Sequence, residues 1–152
     1  MNKTRKIMVA VDFSEYSHKI VDYAARLAED LGAELIFVNV INQRDVDMVN
    51  EVAMHTDKIS AKDYINGLVN DRNEQMKKLL SDTNCTQIPH RFMIKKGVPF
   101  VELVKAAEAE KVDMVVMGTK GRGNISGILF GSQAEKMFRH CPVPLVSIRE
   151  KV

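Results

Sequence analysis

Gly118-Thr119-Lys120-Gly121, followed after nine residues by Gly131-Ser132, places glycines, hydroxyls and a cation between the end of an apolar run and the start of a helical pattern. These residue types in this order suit phosphate binding. Glycines let backbone N–H groups approach an anion closely, and a helix start offers unpaired N–H groups at the positive end of its dipole. Lys120 and Arg122 add charge within the same stretch, while Thr119, Ser126 and Ser132 add hydroxyls. Gly121, Gly123 and Gly127 permit left-handed conformations that turn successive N–H groups toward one anion. Flexibility alone would account for those glycines, but not for the cations, hydroxyls and helix start around them. Ile128, Leu129 and Phe130 are expected to fold onto the core or a partner and anchor the far end of the stretch.

The commoner signatures of nucleotide chemistry do not fit. No GxxxxGK[ST] loop is present, and Gly121-Arg122-Gly123-Asn124-Ile125-Ser126 departs from GxGxxG at its last position, which argues against a dinucleotide oxidoreductase. A GxSxG nucleophile elbow is also missing, as are HxGH and SGGxD-type loops. The histidines at 18, 55, 90 and 140 are scattered, without HExxH or CxxC spacing, so no protein-bound metal is expected. The chemistry predicted is recognition of a nucleotide or another phosphorylated small molecule, with no general base in evidence.

Five apolar runs must position this stretch. Lys6 to Val11, Leu35 to Ile41, Arg91 to Lys95, Val112 to Met117 and Leu145 to Ile148 read as strands. Helical spacing fills most of the gaps. Ile20, Val21, Ala24, Leu27, Ala28 and Leu31 give a helix over Ser14 to Leu31, with Ser14 as its expected N-cap and Gly32 as its stop. Ile65, Leu68, Val69, Met76, Leu79 and Leu80 give a second, in which Gly67 costs about 1 kcal/mol against alanine, a loss that packing is expected to offset. Pro99 begins a third, and a last one runs from Ser132 to His140. Asn42 to Lys62, polar and only faintly periodic, reads as a mobile excursion, with a short helix within it as the alternative. Alternating strands and helices, with strands apolar on both faces, predict an α/β fold: an open, doubly wound, five-stranded, mostly parallel sheet with helices on both faces.

In such a sheet ligands bind beyond the carboxyl ends of the strands, where neighbouring connections leave in opposite directions. The residues there are Asp12, after the first strand, and Gly118, after the fourth, with Val40 at the end of the second. Asp12 can accept hydrogen bonds from a base or sugar, Gly118 allows close approach of a ribose, and Val40 can frame a base. A turn or cap before the first helix is the alternative role for Asp12.

Composition bounds the remainder. With 152 residues, 45% hydrophobic and 28% charged, the chain is expected to form one domain over residues 1–152. A net charge of +2, from 22 basic and 20 acidic residues, gives no general attraction to nucleic acid or anionic membrane. The apolar run Ile7 to Val11 stops at Asp12, too short for a signal or membrane segment, so a cytoplasmic protein is expected. Cys85 and Cys141 are expected to stay reduced.

The order Gly118, Gly121, Gly131, Ser132 reproduces without a gap a pattern of the universal stress protein family: Gly, two residues, Gly, nine residues, then Gly and Ser or Thr. The chain resembles the nucleotide-binding branch of that family over nearly its whole length, through Lys96-Gly97 and the closing Cys141-Pro142-Val143-Pro144-Leu145-Val146. The resemblance implies a Rossmann-like fold of the adenine nucleotide alpha hydrolase type. It implies that Ala10, Asp12 and Val40 line the adenine side and Gly118 the ribose. Thr119, Gly121, Arg122, Gly123 and Asn124 would approach the phosphates from the loop, and Gly131, Ser132 and Gln133 from the helix start. Ala10 stands where the family often has proline, and Gln133 where valine is common.

The resemblance further implies a homodimer through the last strand, where Leu145, Val146 and Ile148 form an apolar edge; Pro142 and Pro144 blunting a free edge is the alternative. The expected function is that of an ATP-binding regulatory protein, with magnesium held mainly by the phosphates, in which bound nucleotide orders Thr119 to Phe130 and alters the surface offered to a protein partner. An adenylyl- or phosphoryl-transferring enzyme of related fold and a nucleotide-free interaction module are the competing readings.

Overall fold

All five apolar runs form strands of one sheet in the computed structural model, which describes residues 3–83, 85–120 and 131–149. They are β1 (Lys6–Ala10), β2 (Glu34–Asn42), β3 (His90–Gly97), β4 (Met114–Gly118) and β5 (Leu145–Ile148), in the order β3-β2-β1-β4-β5. Every neighbouring pair is parallel, with Ile7 opposite both Leu35 and Met114, and Val115 opposite Leu145. Continuous apolar runs suit such strands because both faces are covered.

Alternation of side chains along each strand supplies two cores. On one face Ile7, Val9, Leu35, Phe37 and Val116 pack against α1 (Ser17–Leu31) and α3 (Ala61–Ser81), through Ile20, Val21, Ala24, Met76 and Leu79. On the other Met8, Ile36, Val38 and Val115 pack against α4 (Pro99–Ala109) and α5 (Ser132–His140), through Leu103, Ala106, Ala134 and Met137. Each of the larger apolar side chains so buried contributes about 1.5–3 kcal/mol.

The helix boundaries follow local chemistry. Gly32, at φ 64°, ends α1 in the left-handed conformation, its N–H returning to the Ala28 and Glu29 carbonyls. Pro99 occupies the first turn of α4, where its missing N–H is no loss. The start of α1 differs from expectation: the helix begins at Ser17, with Tyr16 rather than Ser14 as the preceding cap residue, because residues 12 to 16 form a separate turn.

Residues 42–62 also differ. A twelve-residue helix, α2 (Gln43–Met54), follows β2 directly, and the Asn42 side chain accepts from the Arg44 N–H at 3.1 Å to start it. Only Val46 of α2 is buried, which is why its apolar periodicity is faint. Cys85 and Cys141 are unbonded to each other. Among the described residues, no helix is long and apolar enough to cross a membrane.

Candidate functional site

The chain leaves β1 toward the α1 face of the sheet and leaves β4 toward the α5 face. A crevice must therefore open between the carboxyl ends of these adjacent strands. Asp12 and Gly118 stand on its two sides.

Asp12 takes the turn role. One carboxylate oxygen, Oδ1, accepts from the Ser14 N–H at 2.9 Å and from the Ser17 hydroxyl at 3.3 Å. The other has no hydrogen bond among the described residues, so the group is oriented by its turn while an acceptor remains for a ligand. Phe13, next in the chain, sits at φ 57°, a conformation that costs a non-glycine residue and that clusters at functional sites. The guanidinium of Arg72, from α3, lies 5.7 Å from the centre of the Phe13 ring.

Ala10 and Val40 are half-buried, and both pack on the α4/α5 core. Val40 does not end its strand: β2 continues to Asn42, with Val40 opposite Lys95. Between them sits a residue that the sequence reading passed over. Asn39 is 2% exposed, and its side-chain amide donates to the Val11 carbonyl at 2.7 Å, tying β2 to the residue before Asp12. Its Oδ1 has no partner among the described residues. A lone amide in the apolar run of β2 was the available signal, since a buried polar group in such a run needs a specific partner.

Gly118 is required by packing as well as by any ligand. A Cβ there would lie 2.7 Å from Ile20 Cδ1 and 3.2 Å from the Lys120 carbonyl oxygen. On this flank a small crevice is lined by Tyr16, Lys19, Ile20, Lys120, Ile148 and Arg149. Thr119 is buried and spends both backbone groups holding the site together: its N–H donates to the Ile148 carbonyl at 3.1 Å, and its carbonyl accepts from the Gly131 N–H at 2.7 Å. Gly121, Arg122, Gly123 and Asn124 lie outside the described residues.

Gly131 is the N-cap of α5 and supplies no side chain to cap it. The N–H groups of Ser132, Gln133 and Ala134, in the first turn, consequently have no intrahelical acceptor. Ser132 is exposed at that end. The Gln133 side chain, however, is directed to α4: its Oε1 accepts from the Phe100 N–H at 3.0 Å. Asp12, Gly118, Thr119, Gly131 and Ser132 are thus gathered around the carboxyl ends of β1 and β4, with Ala10 and Val40 on the adjoining α4/α5 face.

The opposite, amino end of the sheet holds a larger groove, of about 680 Å³, bordered by Lys3, Arg5, Gly32, Glu34, Gln87 and Ile88. Its cations and carboxylates are mixed, and the Glu34 and Leu35 N–H groups are already bonded to the Arg5 and Pro89 carbonyls. The perturbed titrations belong to this end. The Arg5 and Lys6 N–H groups, at 2.8 and 3.0 Å, hold the Asp113 carboxyl below the usual carboxylate range, and the Arg91 guanidinium does the same to Glu110. These groups fasten the sheet's amino end. No cluster of three metal-ligating side chains occurs among the described residues.

The fold is a Rossmann-like α/β arrangement with its topological switch point between β1 and β4. The family model described as Universal stress protein family matches residues 3–149, and the chain belongs to that family. Universal stress protein MJ0531 of Methanocaldococcus jannaschii is 29% identical, over 99% of this chain and 86% of its own length. Universal stress protein MJ0577 of the same organism is 26% identical, over 97% of this chain and 96% of its own. The solved structure of MJ0577 superposes with a TM-score of 0.83, at 25% identity, covering 99% of each chain. A universal stress protein from Archaeoglobus fulgidus, solved in complex with dAMP, shares the fold at a TM-score of 0.65 and 18% identity, covering 97% of this chain and 99% of that one.

Proposed function

We propose that the carboxyl end of the sheet binds ATP, with magnesium carried mainly by the phosphates, and that the chain acts as a nucleotide-dependent regulatory module in the cytoplasm. The observation that carries this reading is the Gly131 to Thr119 hydrogen bond, which sets the first-turn N–H groups of α5, without intrahelical acceptors, beside the end of β4, one strand away from the Asp12 carboxylate. A helix start stabilises phosphate oxygens through direct N–H contacts and its dipole, and a carboxylate at the adjacent strand end accepts from a base or sugar. Adenine would then rest on Ala10 and Val40, ribose near Gly118, and the phosphates at Gly131, Ser132 and Gln133. A dAMP complex of a relative with the same fold supports an adenine nucleotide over other phosphates.

Binding, rather than turnover, is the proposed activity. Hydrolysis or self-phosphorylation would be slow and incidental. Occupancy would change the surface offered to a protein partner. Homodimerisation through β5 belongs to the same reading: the edge strand β3 carries the exposed charges Arg91, Lys95 and Lys96, whereas Leu145 to Ile148 at the other edge are uncharged and half-buried.

Thermal unfolding with and without magnesium and ATP tests the proposal. Ligand at one hundred times its dissociation constant should add about 2.7 kcal/mol of stability. An unfolding curve unmoved by millimolar ATP would leave the interaction module without nucleotide as the better reading.

A further inference from the structure

Among the described residues, five of the eight large apolar side chains left exposed fall between positions 48 and 64: Met48, Val52, Met54, Ile59 and Tyr64, the two methionines at 61% and 83%. They sit on α2, on the connection after it and on the first turn of α3. At about 100° per residue, Val46, Ala53, Val49, Val52 and Met48 form one apolar arc around α2. The fold covers one side of that arc. Val46 is buried, Ala53 and Val49 are half-buried, and Val52 and Met48 are exposed. In α3 the buried side chains, Met76, Leu79 and Leu80, all lie toward its end, whereas Ile65, Leu68 and Val69 nearer its start are half-buried. Only residues 55–60 separate the two helices, which pack together, so Val52 and Met54 come to the same end of the pair as Ile59 and Tyr64.

The charges around this face decide what fits it. Residues 43–64 hold five carboxylates, Asp45, Asp47, Glu51, Asp57 and Asp63, against three cations, a net −2 in a chain of +2. Asp45 and Asp63 also serve the dipoles of their helices from the first turn. Asp47, Glu51 and Asp57 have no such use, and none of the five is ion-paired among the described residues. A second copy docked face to face would set these carboxylates against one another. A cationic partner would neutralise them.

We propose that the α2–α3 face docks a cationic amphipathic helix of a partner protein, its apolar side on Met48, Val52, Ile59 and Tyr64 and its lysines or arginines on the carboxylates. Methionine suits such a contact, because its unbranched thioether adapts to differing apolar shapes. The helix α2 begins at Gln43, just beyond Val40, so this face adjoins the carboxyl end of the sheet while sharing no residue with the proposed nucleotide site.

A synthetic helix of about 18 residues, with leucines at helical spacing and lysines elsewhere, tests this against two controls: the same composition in scrambled order, and a leucine–glutamate counterpart. Calorimetric titration into the full chain should show micromolar affinity for the first and at least about tenfold less for each control. Met48→Gln with Val52→Gln keeps helix propensity and should weaken the lysine peptide about tenfold; Asp47→Asn with Glu51→Gln should weaken it about threefold or more. Amide NMR of the wild type, which needs no variant, should show saturable shifts centred on Met48, Val52, Ile59 and Tyr64. A lysine peptide that binds no better than its scrambled form, shifts centred elsewhere, or variants that bind as the wild type does would overturn the proposal. Sedimentation of the Met48→Gln, Val52→Gln variant should match the wild type; loss of self-association there would assign the face to a second copy instead.

Discussion

The Gly131 N–H and the Thr119 carbonyl meet at 2.7 Å, so the start of α5 is fastened to the residue that follows β4. The two ends of the intervening stretch are held together by this bond. Gly121→Val should therefore abolish nucleotide binding, by filling the backbone approach to the phosphates, while shifting the unfolding midpoint by less than about 2 °C. Calorimetry and thermal unfolding of the same preparation check it; unaltered ATP affinity would remove Gly121 from the site.

Asp12 serves its turn through Oδ1, the proposed ligand contact falls to its other oxygen, and substitution can part the two. Asp12→Asn keeps an oxygen for the Ser14 N–H and Ser17 hydroxyl but presents a donor where the free oxygen stood. Stability should change by less than about 0.5 kcal/mol while ATP affinity falls about tenfold. Asp12→Ala should lose the affinity and in addition about 1 kcal/mol of stability, as for a lost cap. Chemical denaturation beside calorimetry separates the two; equal affinity of Asp12→Asn and wild type would confine Asp12 to its turn.

Two glycines should respond oppositely to alanine. Around Gly67 nothing lies within 4 Å of a would-be Cβ, so no packing demands the glycine inside α3, and Gly67→Ala should stabilise by about 0.5–1 kcal/mol. Gly118→Ala drives a methyl against Ile20 Cδ1 and should destabilise by about 1–3 kcal/mol. Ile20→Val removes that atom, so the double variant should be less unstable than the sum of the singles. Urea unfolding of all four proteins decides it, and strict additivity would show that the contact does not control the cost.

The edge of β5 can be tested without disturbing the sheet. Pro144 and Ile148 direct their carbonyls to β4, at Val115 and Thr119, so Leu145 and Ser147 direct their backbone groups to the open side. Ser147→Pro deletes an outward N–H only. Sedimentation should show a dimer for the wild type and a monomer of unchanged circular dichroism for the variant; a wild-type monomer at micromolar concentration would refute pairing through this edge.

How much was legible beforehand depended on where the controlling chemistry sits. Strand runs buried on both faces, such as Ile7 to Val11, and punctuation such as Gly32 and Pro99 act locally, and the structure places them where the residues imply. The helix α2 was hidden because it buries one side chain, although Asn42 with Asp45 three residues on is a helix-start signal. The displaced start of α1 reflects Asp12 and the left-handed Phe13, which form a turn that Ser14 alone does not announce. Long-range pairings lie beyond any local pattern: Asn39 with the Val11 carbonyl, Gln133 with Phe100, and Gly118 with Ile20 join residues whose proximity only the folded sheet creates.

An amide NMR titration with magnesium ATP tests the central claim most directly, because it reports where along the chain the ligand sits. Saturable shifts should centre on Asp12, Val40, Gly118, Thr119 and Gly131 to Gln133, with the amino end of the sheet around Arg5, Glu34 and Asp113 unmoved. No shifts at millimolar ATP, or shifts centred on Arg5, Glu34 and Asp113, would contradict it.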